Sequence, residues 1–158
     1  MVQETDMDSI TTLWSFMLII FAIITSIIDI KTKKVPNSLI LVMFITWLLT
    51  IIPMLIVNTY EATTKLYDSG LGLLSGGGLF LLVYLISRKG LGGGDVKFMA
   101  AAGLYLGLYG VIPAMFLGSI LAAMFVLILL LLKKIKRKDT IPLTPFLSIG
   151  MVIAVLLR

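Results

Sequence analysis

The stretch GLGGGDVK at residues 90–97 joins a glycine cluster to an acid, between apolar segments long enough to cross a bilayer. Each glycine costs a helix about 1 kcal/mol relative to alanine but permits close approach of another backbone, so the cluster predicts irregular structure. Within a membrane, such backbone needs surrounding protein or a wet cavity, and an ionisable residue there indicates function. Asp95 is therefore either a site residue or a solvated acid in an ordinary cytosolic turn. Lys97 would either neutralise it or extend to the interface.

The composition indicates an integral membrane protein with one domain, residues 1–158, and no soluble domain. Hydrophobic residues make up 59% of the chain and charged residues 13%. Cysteine and histidine are absent, which excludes disulfides, zinc sites built from them, thiol nucleophiles and histidine bases. Acid–base chemistry must then use the eight Asp and Glu residues, and no metal or cofactor is expected. The net charge is +5, and the basic residues lie in short loops between the apolar segments. The expected partner is therefore a lipid bilayer and not nucleic acid.

Six apolar segments predict an all-α bundle of six transmembrane helices. They cover residues 13–28, 38–57, 70–86, 97–109, 111–132 and 141–157. The first follows an acidic stretch and lacks the basic start of a signal peptide, so we interpret it as a retained anchor. We interpret residues 58–69 as a polar connection, and Gly110 and Pro113 as the turn between the fourth and fifth segments. Pro142 and Pro145 are expected to delay the last helix.

The basic residues are distributed unequally between the two sides of this bundle. Eleven of the 13 bases lie in three loops, at residues 29–37, 87–97 and 133–139. The opposite side holds only Lys65 and Arg158. Bases that flank short loops prefer the cytoplasm. The bias predicts a multi-pass protein of the plasma or inner membrane with both termini outside and with Asp29 and Asp95 at the cytoplasmic face.

Asp29 and Asp95 form a candidate acid pair. From Leu13 to Asp29, about 17 residues at 1.5 Å each span roughly 25 Å, which places Asp29 near the inner edge of the hydrocarbon, where Asp95 also enters. Two carboxylates facing each other there are expected to share one proton. The ionised partner of such a pair can take a proton from water while the other protonates a leaving nitrogen. Alternatively, Asp29 is a loop acid marking a topological boundary. Asp139 is interpreted as a surface counter-charge.

Two sequence elements carry a resemblance to a known family. Residues 92–97 fit the pattern GxGDxK, and Asp29 precedes a basic stretch and the sequence VPN at 35–37. With the six predicted spans, these elements resemble the type IV prepilin peptidases, which are GxGD membrane aspartic peptidases and include the archaeal preflagellin peptidases. Residues 142–150 are similar to the family's late proline-phenylalanine-glycine element, except that Thr144 stands where glycine is expected.

The resemblance implies an aspartic endopeptidase that removes a short basic leader from type IV prepilin-like or preflagellin-like precursors at the cytoplasmic membrane face. It implies that Asp29 and Asp95 are the catalytic pair. It further implies substrate-binding or loop roles for five residues, Gly92, Gly94, Lys97, Pro36 and Asn37. Longer members carry an extra cytosolic region with paired cysteines and can methylate the new amino terminus. The resemblance therefore places this chain in the compact, peptidase-only branch.

Other function classes stay open from the residues alone. A small transporter or channel subunit could use paired intramembrane acids to move cations or protons. The chain shows no duplicated half of the kind that many transporters have. A structural subunit of a membrane assembly would leave the two acids without a role.

Substrate capture is expected to depend on the apolar part of the precursor. A basic leader would be repelled by the lysines around the acid pair, so charge attraction does not explain capture. The apolar helix that follows the cleavage point is instead expected to pack on small-residue faces of the third and fourth segments. These faces carry Gly72, Gly76, Gly103 and Gly107.

Overall fold

The computed structural model describes residues 2–87, 91–134 and 141–157. All regular secondary structure in those residues is helical, which confirms the all-α fold class. The helices are α1 (Val2–Thr32), α2 (Asn37–Val57), α3 (Thr59–Ile86), α4 (Gly93–Leu131) and α5 (Thr144–Leu156). The predicted count of six is therefore not confirmed, since the described residues contain five helices. Arg88, Lys89, Gly90 and Asp139, which entered the sequence interpretation, lie outside the described residues.

The predicted fourth and fifth segments lie together in α4, which changes direction at Gly107. This residue has φ 65° and ψ −176°, a conformation that interrupts the helix and favours glycine. A Cβ built on Gly76 of α3 would lie 2.6 Å from the Met99 carbonyl oxygen and 3.0 Å from Val111 Cγ2. In a straight helix, residues 99 and 111 would be about 18 Å apart along the axis. The two arms of α4, residues 93–106 and 108–131, therefore fold back on each other.

Asp68 of α3 stabilises this bend. The second arm begins with backbone N–H groups that have no helical acceptor, and Asp68 Oδ1 accepts a hydrogen bond from Leu108 N at 2.9 Å. A Cβ at Gly107 would collide with the Asp68 carboxylate. The carboxylate thus caps the second arm from a neighbouring helix, and glycine at the bend leaves the space that it occupies.

The polar connection predicted at residues 58–69 is wrong, because those residues belong almost entirely to α3. Asn58 alone separates α2 from α3, and its side chain accepts a hydrogen bond from Glu61 N. The segment contains no proline or glycine that would interrupt a helix. Polar composition suggested a loop, but one capping residue suffices to start α3.

Helix α3 packs closely on the first arm of α4 through glycine. A Cβ on Gly72 would collide with the Gly103 carbonyl oxygen, and one on Gly103 would collide with the backbone of Gly72. Beside this contact, Ser69 Oγ donates to the Leu104 carbonyl oxygen at 2.7 Å. The small-residue faces of both helices are therefore occupied within the chain.

Helix α5 lies between α1 and the second arm of α4. Its Ser148 hydroxyl accepts a hydrogen bond from Ser26 Oγ at 2.7 Å and donates one to the Ala22 carbonyl oxygen at 3.1 Å, and both partners are on α1. On the other side, a Cβ at Gly118 would lie 2.7 Å from Leu147 Cα. These contacts bring the start of α5 to the end of α1. As expected from the two prolines, the helix begins only at Thr144.

Four of the helices are long and apolar enough to cross a membrane, as judged from length and composition. They are α1 from Ser9, α2, α3 and α4. With 13 residues, α5 is about 20 Å long and falls short of a typical hydrocarbon core. These features fit a multi-pass membrane protein.

Candidate active site

Two acids from distant parts of the chain are buried at one end of the bundle. Asp29 lies in the last turns of α1 and is 4% exposed, and Asp95 lies in the first turn of α4 and is 9% exposed. Burying a carboxylate is costly unless hydrogen bonds or charges compensate it. The solvated-turn interpretation of Asp95 and the loop interpretation of Asp29 are therefore wrong.

Thr144 contacts both acids. Its backbone N–H donates to Asp29 Oδ2 at 3.3 Å, and its hydroxyl donates to Asp95 Oδ1 at 2.9 Å. The residue is fully buried at the first position of α5. One residue thus joins acids that lie 66 positions apart in the sequence, with Asp29 on α1 and Asp95 on α4.

The two glycines of the GxGD pattern have steric reasons to be glycine. A Cβ on Gly92 would lie 2.8 Å from Asp95 Oδ2, so glycine leaves space for the carboxylate. A Cβ on Gly94 would lie 2.9 Å from the Val35 Cβ, so glycine permits close approach of the segment before α2. A Cβ on the intervening Gly93 would meet nothing within 4 Å. The pattern thus coincides with the two positions where a side chain would collide.

The VPN sequence lies against the GxGDxK element. Pro36 occupies the N-cap position of α2, and Asn37 Oδ1 accepts a hydrogen bond from Lys97 Nζ at 2.9 Å. The Lys97 ammonium group is therefore bound to Asn37, which is the partner that the sequence did not identify. With the Val35–Gly94 contact, this bond fixes the start of α2 to the start of α4.

An apolar groove of about 440 Å³ begins at the Lys97–Asn37 bond and runs between α2, α3 and the first arm of α4. Its apolar lining consists of Ile40, Leu41, Phe44, Leu73, Ala100, Ala101 and Leu104. The groove thus has a polar end two residues along α4 from Asp95.

Thr144 is the residue whose contact with the acids the sequence interpretation missed. Its position was noted only as a departure from the expected glycine. A signal was present, because a hydroxyl residue between two prolines at the start of an apolar helix is placed where backbone N–H groups lack acceptors. Sequence alone gave no means of pairing that residue with Asp29 and Asp95.

The arrangement provides two carboxyl groups and donors that hold them, which suits proton transfer to and from a bound substrate. Within the described ranges, no three or more Asp, Glu, His or Cys side chains are grouped so that they could hold a metal ion. The expectation that no metal takes part stays a prediction.

Comparison with known proteins identifies the family. Residues 16–127 match the model of the type IV leader peptidase family. The chain belongs to this family. The matched region of this leader peptidase family member contains Asp29 and Asp95 and ends before Thr144.

Relatives of the chain are described as prepilin leader peptidase/N-methyltransferases. The protein from Escherichia coli K12 is 29% identical over 87% of this chain and 60% of its own length. Those from Xanthomonas campestris and Bacillus subtilis are 31% and 28% identical, over 86% and 85% of this chain and 47% and 51% of their own lengths. The chain thus spans about half the length of these relatives. No solved structure matches the chain at a significant level.

The glycine contacts predict unequal effects of alanine at three successive positions. Gly92→Ala and Gly94→Ala displace the Asp95 carboxylate or Val35 and should lower the activity of the site by about tenfold or more, because small displacements of reacting groups are costly. Gly93→Ala, which meets open space, should stay near the activity of the unmodified protein. Assaying the three purified variants for the leader-peptidase activity after which the family is named checks this. Equal losses in all three would show that the cluster acts through backbone flexibility.

Proposed function

We propose that the chain is an aspartic endopeptidase that removes the leader from type IV prepilin-like precursors. The observation that carries this proposal is the binding of two buried acids, Asp29 and Asp95, to one residue in a member of the type IV leader peptidase family. Family membership favours this function over a transporter or channel subunit. The assignment to a peptidase-only branch stays a prediction.

The proposed reaction uses the acids as a pair with one proton. The ionised carboxylate takes a proton from water as the water oxygen attacks the scissile carbonyl carbon. The protonated carboxyl donates a hydrogen bond to the carbonyl oxygen. In the second step a proton passes to the leaving nitrogen, the C–N bond breaks, and a new carboxyl and a new amine are released. All protons in this scheme are supplied by the pair and by water.

Removing the titratable proton from either acid should abolish cleavage. Asn keeps the shape of Asp, so Asp29→Asn and Asp95→Asn should each lower the turnover number by about a thousandfold or more, and the double variant should be hardly worse. Glu61→Gln, at the start of α3, is the matched control and should cleave normally. Leader removal is followed in membranes that contain equal amounts of each variant. Near-normal turnover by either single variant would contradict the two-acid mechanism.

We infer that the acid pair faces the cytoplasm and that the termini lie outside. Lys31 lies in the last turn of α1, Lys33 and Lys34 follow that helix, and Lys97 lies two residues after Asp95 on α4. Four bases therefore gather at the end of the bundle that holds the pair. The junction of α2 and α3 at Asn58, at the opposite ends of those helices, has no base beside it. The positive-inside preference supports this orientation.

The orientation can be measured with single cysteines, since the chain contains none of its own. Thr32 ends α1 and Thr59 begins α3, and both side chains are exposed. In intact cells, a membrane-impermeant maleimide should label Thr59→Cys and should label Thr32→Cys only after the membrane is opened. The reverse pattern, or labelling of both in intact cells, would overturn the orientation.

The expected packing of the precursor on glycine faces needs correction. Gly72 packs against the backbones of both Gly103 and Gly107, and Gly76 packs against Met99, so these faces are not free for a substrate helix. The apolar groove between α2, α3 and the first arm of α4 is the better candidate. Its Lys97–Asn37 end lies two residues along α4 from Asp95, so a precursor helix in the groove would reach the membrane face at the same level as the acid pair.

Filling the groove should weaken capture without affecting the chemistry. Leu41 lines the groove and is 58% exposed, whereas Leu49 on the same helix is 65% exposed and lies away from it. Leu41→Trp should raise KM for a membrane-embedded precursor roughly tenfold, equivalent to about 1.4 kcal/mol, with kcat unchanged. Leu49→Trp is the control and should leave KM unchanged. If both variants keep the original KM, the precursor binds elsewhere.

A further inference from the structure

Thr144 differs from the other contacts of the site because its two hydrogen bonds have different origins. The N–H bond to Asp29 comes from the backbone and would be available to any residue other than proline at this position. The hydroxyl bond to Asp95 needs a serine or threonine side chain with suitable geometry. The family resemblance predicts glycine at this position. Glycine has no hydroxyl and would leave Asp95 without this bond.

Local structure holds the hydroxyl in place. Thr144 is the first residue of α5, follows Leu143 at the cap and precedes Pro145. Its backbone N–H is among those that have no acceptor within the helix, which explains why it is free to bind Asp29. Its branched Cβ restricts χ1, so the hydroxyl is ordered at low entropic cost. The side chain is fully buried, which shields the bond from bulk solvent.

The two acids also sit at helix ends of opposite polarity. Asp95 is in the first turn of α4, where free N–H groups favour a negative charge. Asp29 is in the last turn of α1, where carbonyl groups disfavour one. The 2.9 Å hydroxyl bond to Asp95 is close to the usual length of O–H···O bonds, about 2.7–2.8 Å, whereas the 3.3 Å backbone bond to Asp29 is well beyond the usual N–H···O length of about 2.9–3.0 Å, so Asp95 has the better-formed bond. Both effects therefore favour the same distribution of charge.

We propose that Thr144 is a positioning residue whose hydroxyl keeps Asp95 as the carboxylate of the pair and leaves the shared proton on Asp29. Asp95 is then the base that takes a proton from water, and Asp29 is the acid that acts on the substrate carbonyl oxygen and leaving nitrogen. This inference rests on the proposed peptidase function and assigns the two roles within it. It predicts that the hydroxyl, and not the volume of the side chain, sets the rate of the chemical step.

Two substitutions separate the hydroxyl from the volume. Thr144→Val keeps the branched shape and loses the hydroxyl, whereas Thr144→Ser keeps the hydroxyl and loses the methyl group. Because a hydrogen bond to a charged group is lost, Thr144→Val should lower kcat by about 10- to 100-fold with KM nearly unchanged. Thr144→Ser should retain most of kcat. The measurement is cleavage of a membrane-embedded precursor with a basic leader by protein in liposomes.

Ser148→Ala is the matched control for a structural role. Ser148 lies one turn along α5, and its hydroxyl binds α1 near Ala22 and Ser26. Its loss should lower the melting temperature without lowering kcat. If Thr144→Ser loses as much kcat as Thr144→Val, side-chain volume is what matters, and the positioning role is overturned.

A second readout needs no substrate. At neutral pH the protonated carboxyl has an infrared C=O stretching band, which Asp29→Asn should remove from the reconstituted protein. Thr144→Val should shift or weaken this band, and Thr144→Ser should leave it in place. Persistence of the band in Asp29→Asn would put the proton on Asp95 and overturn the assignment.

The two readouts separate failure of this inference from failure of the proposed function. If Asp29→Asn and Asp95→Asn abolish cleavage while Thr144→Val cleaves normally, the peptidase function stands and the role of Thr144 is overturned. If the unmodified protein cleaves no precursor but the infrared band responds as expected, the peptidase function fails while the distribution of the proton stands.

Discussion

Buried carboxyl groups need hydrogen-bond donors, and an intact helix has none to give because its interior N–H groups are bonded to its own carbonyls. The site meets this constraint where helices begin. Helices α4 and α5 start at the level where α1 ends, and Thr144 supplies both donors from the first position of α5. The acids are therefore placed by helix ends, and any shift of α5 along its axis would move the donors away from them.

The bend of α4 makes this convergence possible. If its 39 residues formed one straight helix, α4 would be about 58 Å long and α5 would begin far from Asp95. The turn at Gly107 returns the second arm towards the level of Asp95, where the chain enters α5. The bend depends in turn on α3, since Gly72 packs against it and Asp68 caps it. Helix α3 thus supports the bend of α4, and that bend places the start of α5 beside the acids.

Much of the site was predictable because its chemistry is tied to short motifs. Asp29 and Asp95 were found as acids at the ends of apolar segments, although their catalytic role stays a prediction. The turn was predicted at Gly110 and Pro113, whereas the chain bends at Gly107. Gly107 had been assigned to a helix-packing face, because glycine in an apolar helix permits close packing as readily as it interrupts the helix. Residues 58–69 were predicted as a loop from their polar composition, but capping by Asn58 suffices to start α3 there. Thr144 was missed because its partners come from helices that sequence does not place beside it.

The contact between Asp68 and Gly107 has a consequence for how sequences of this kind diverge. A side chain at position 107 would collide with the carboxylate at 68, and loss of that carboxylate would leave the Leu108 N–H without its acceptor. Because the φ of 65° strains any side chain at position 107 even where the carboxylate is absent, replacement of Asp68 alone would not free that position. Across homologues, glycine should therefore persist at the bend, and position 68 should vary only among side chains that can accept a hydrogen bond from the N–H group at 108.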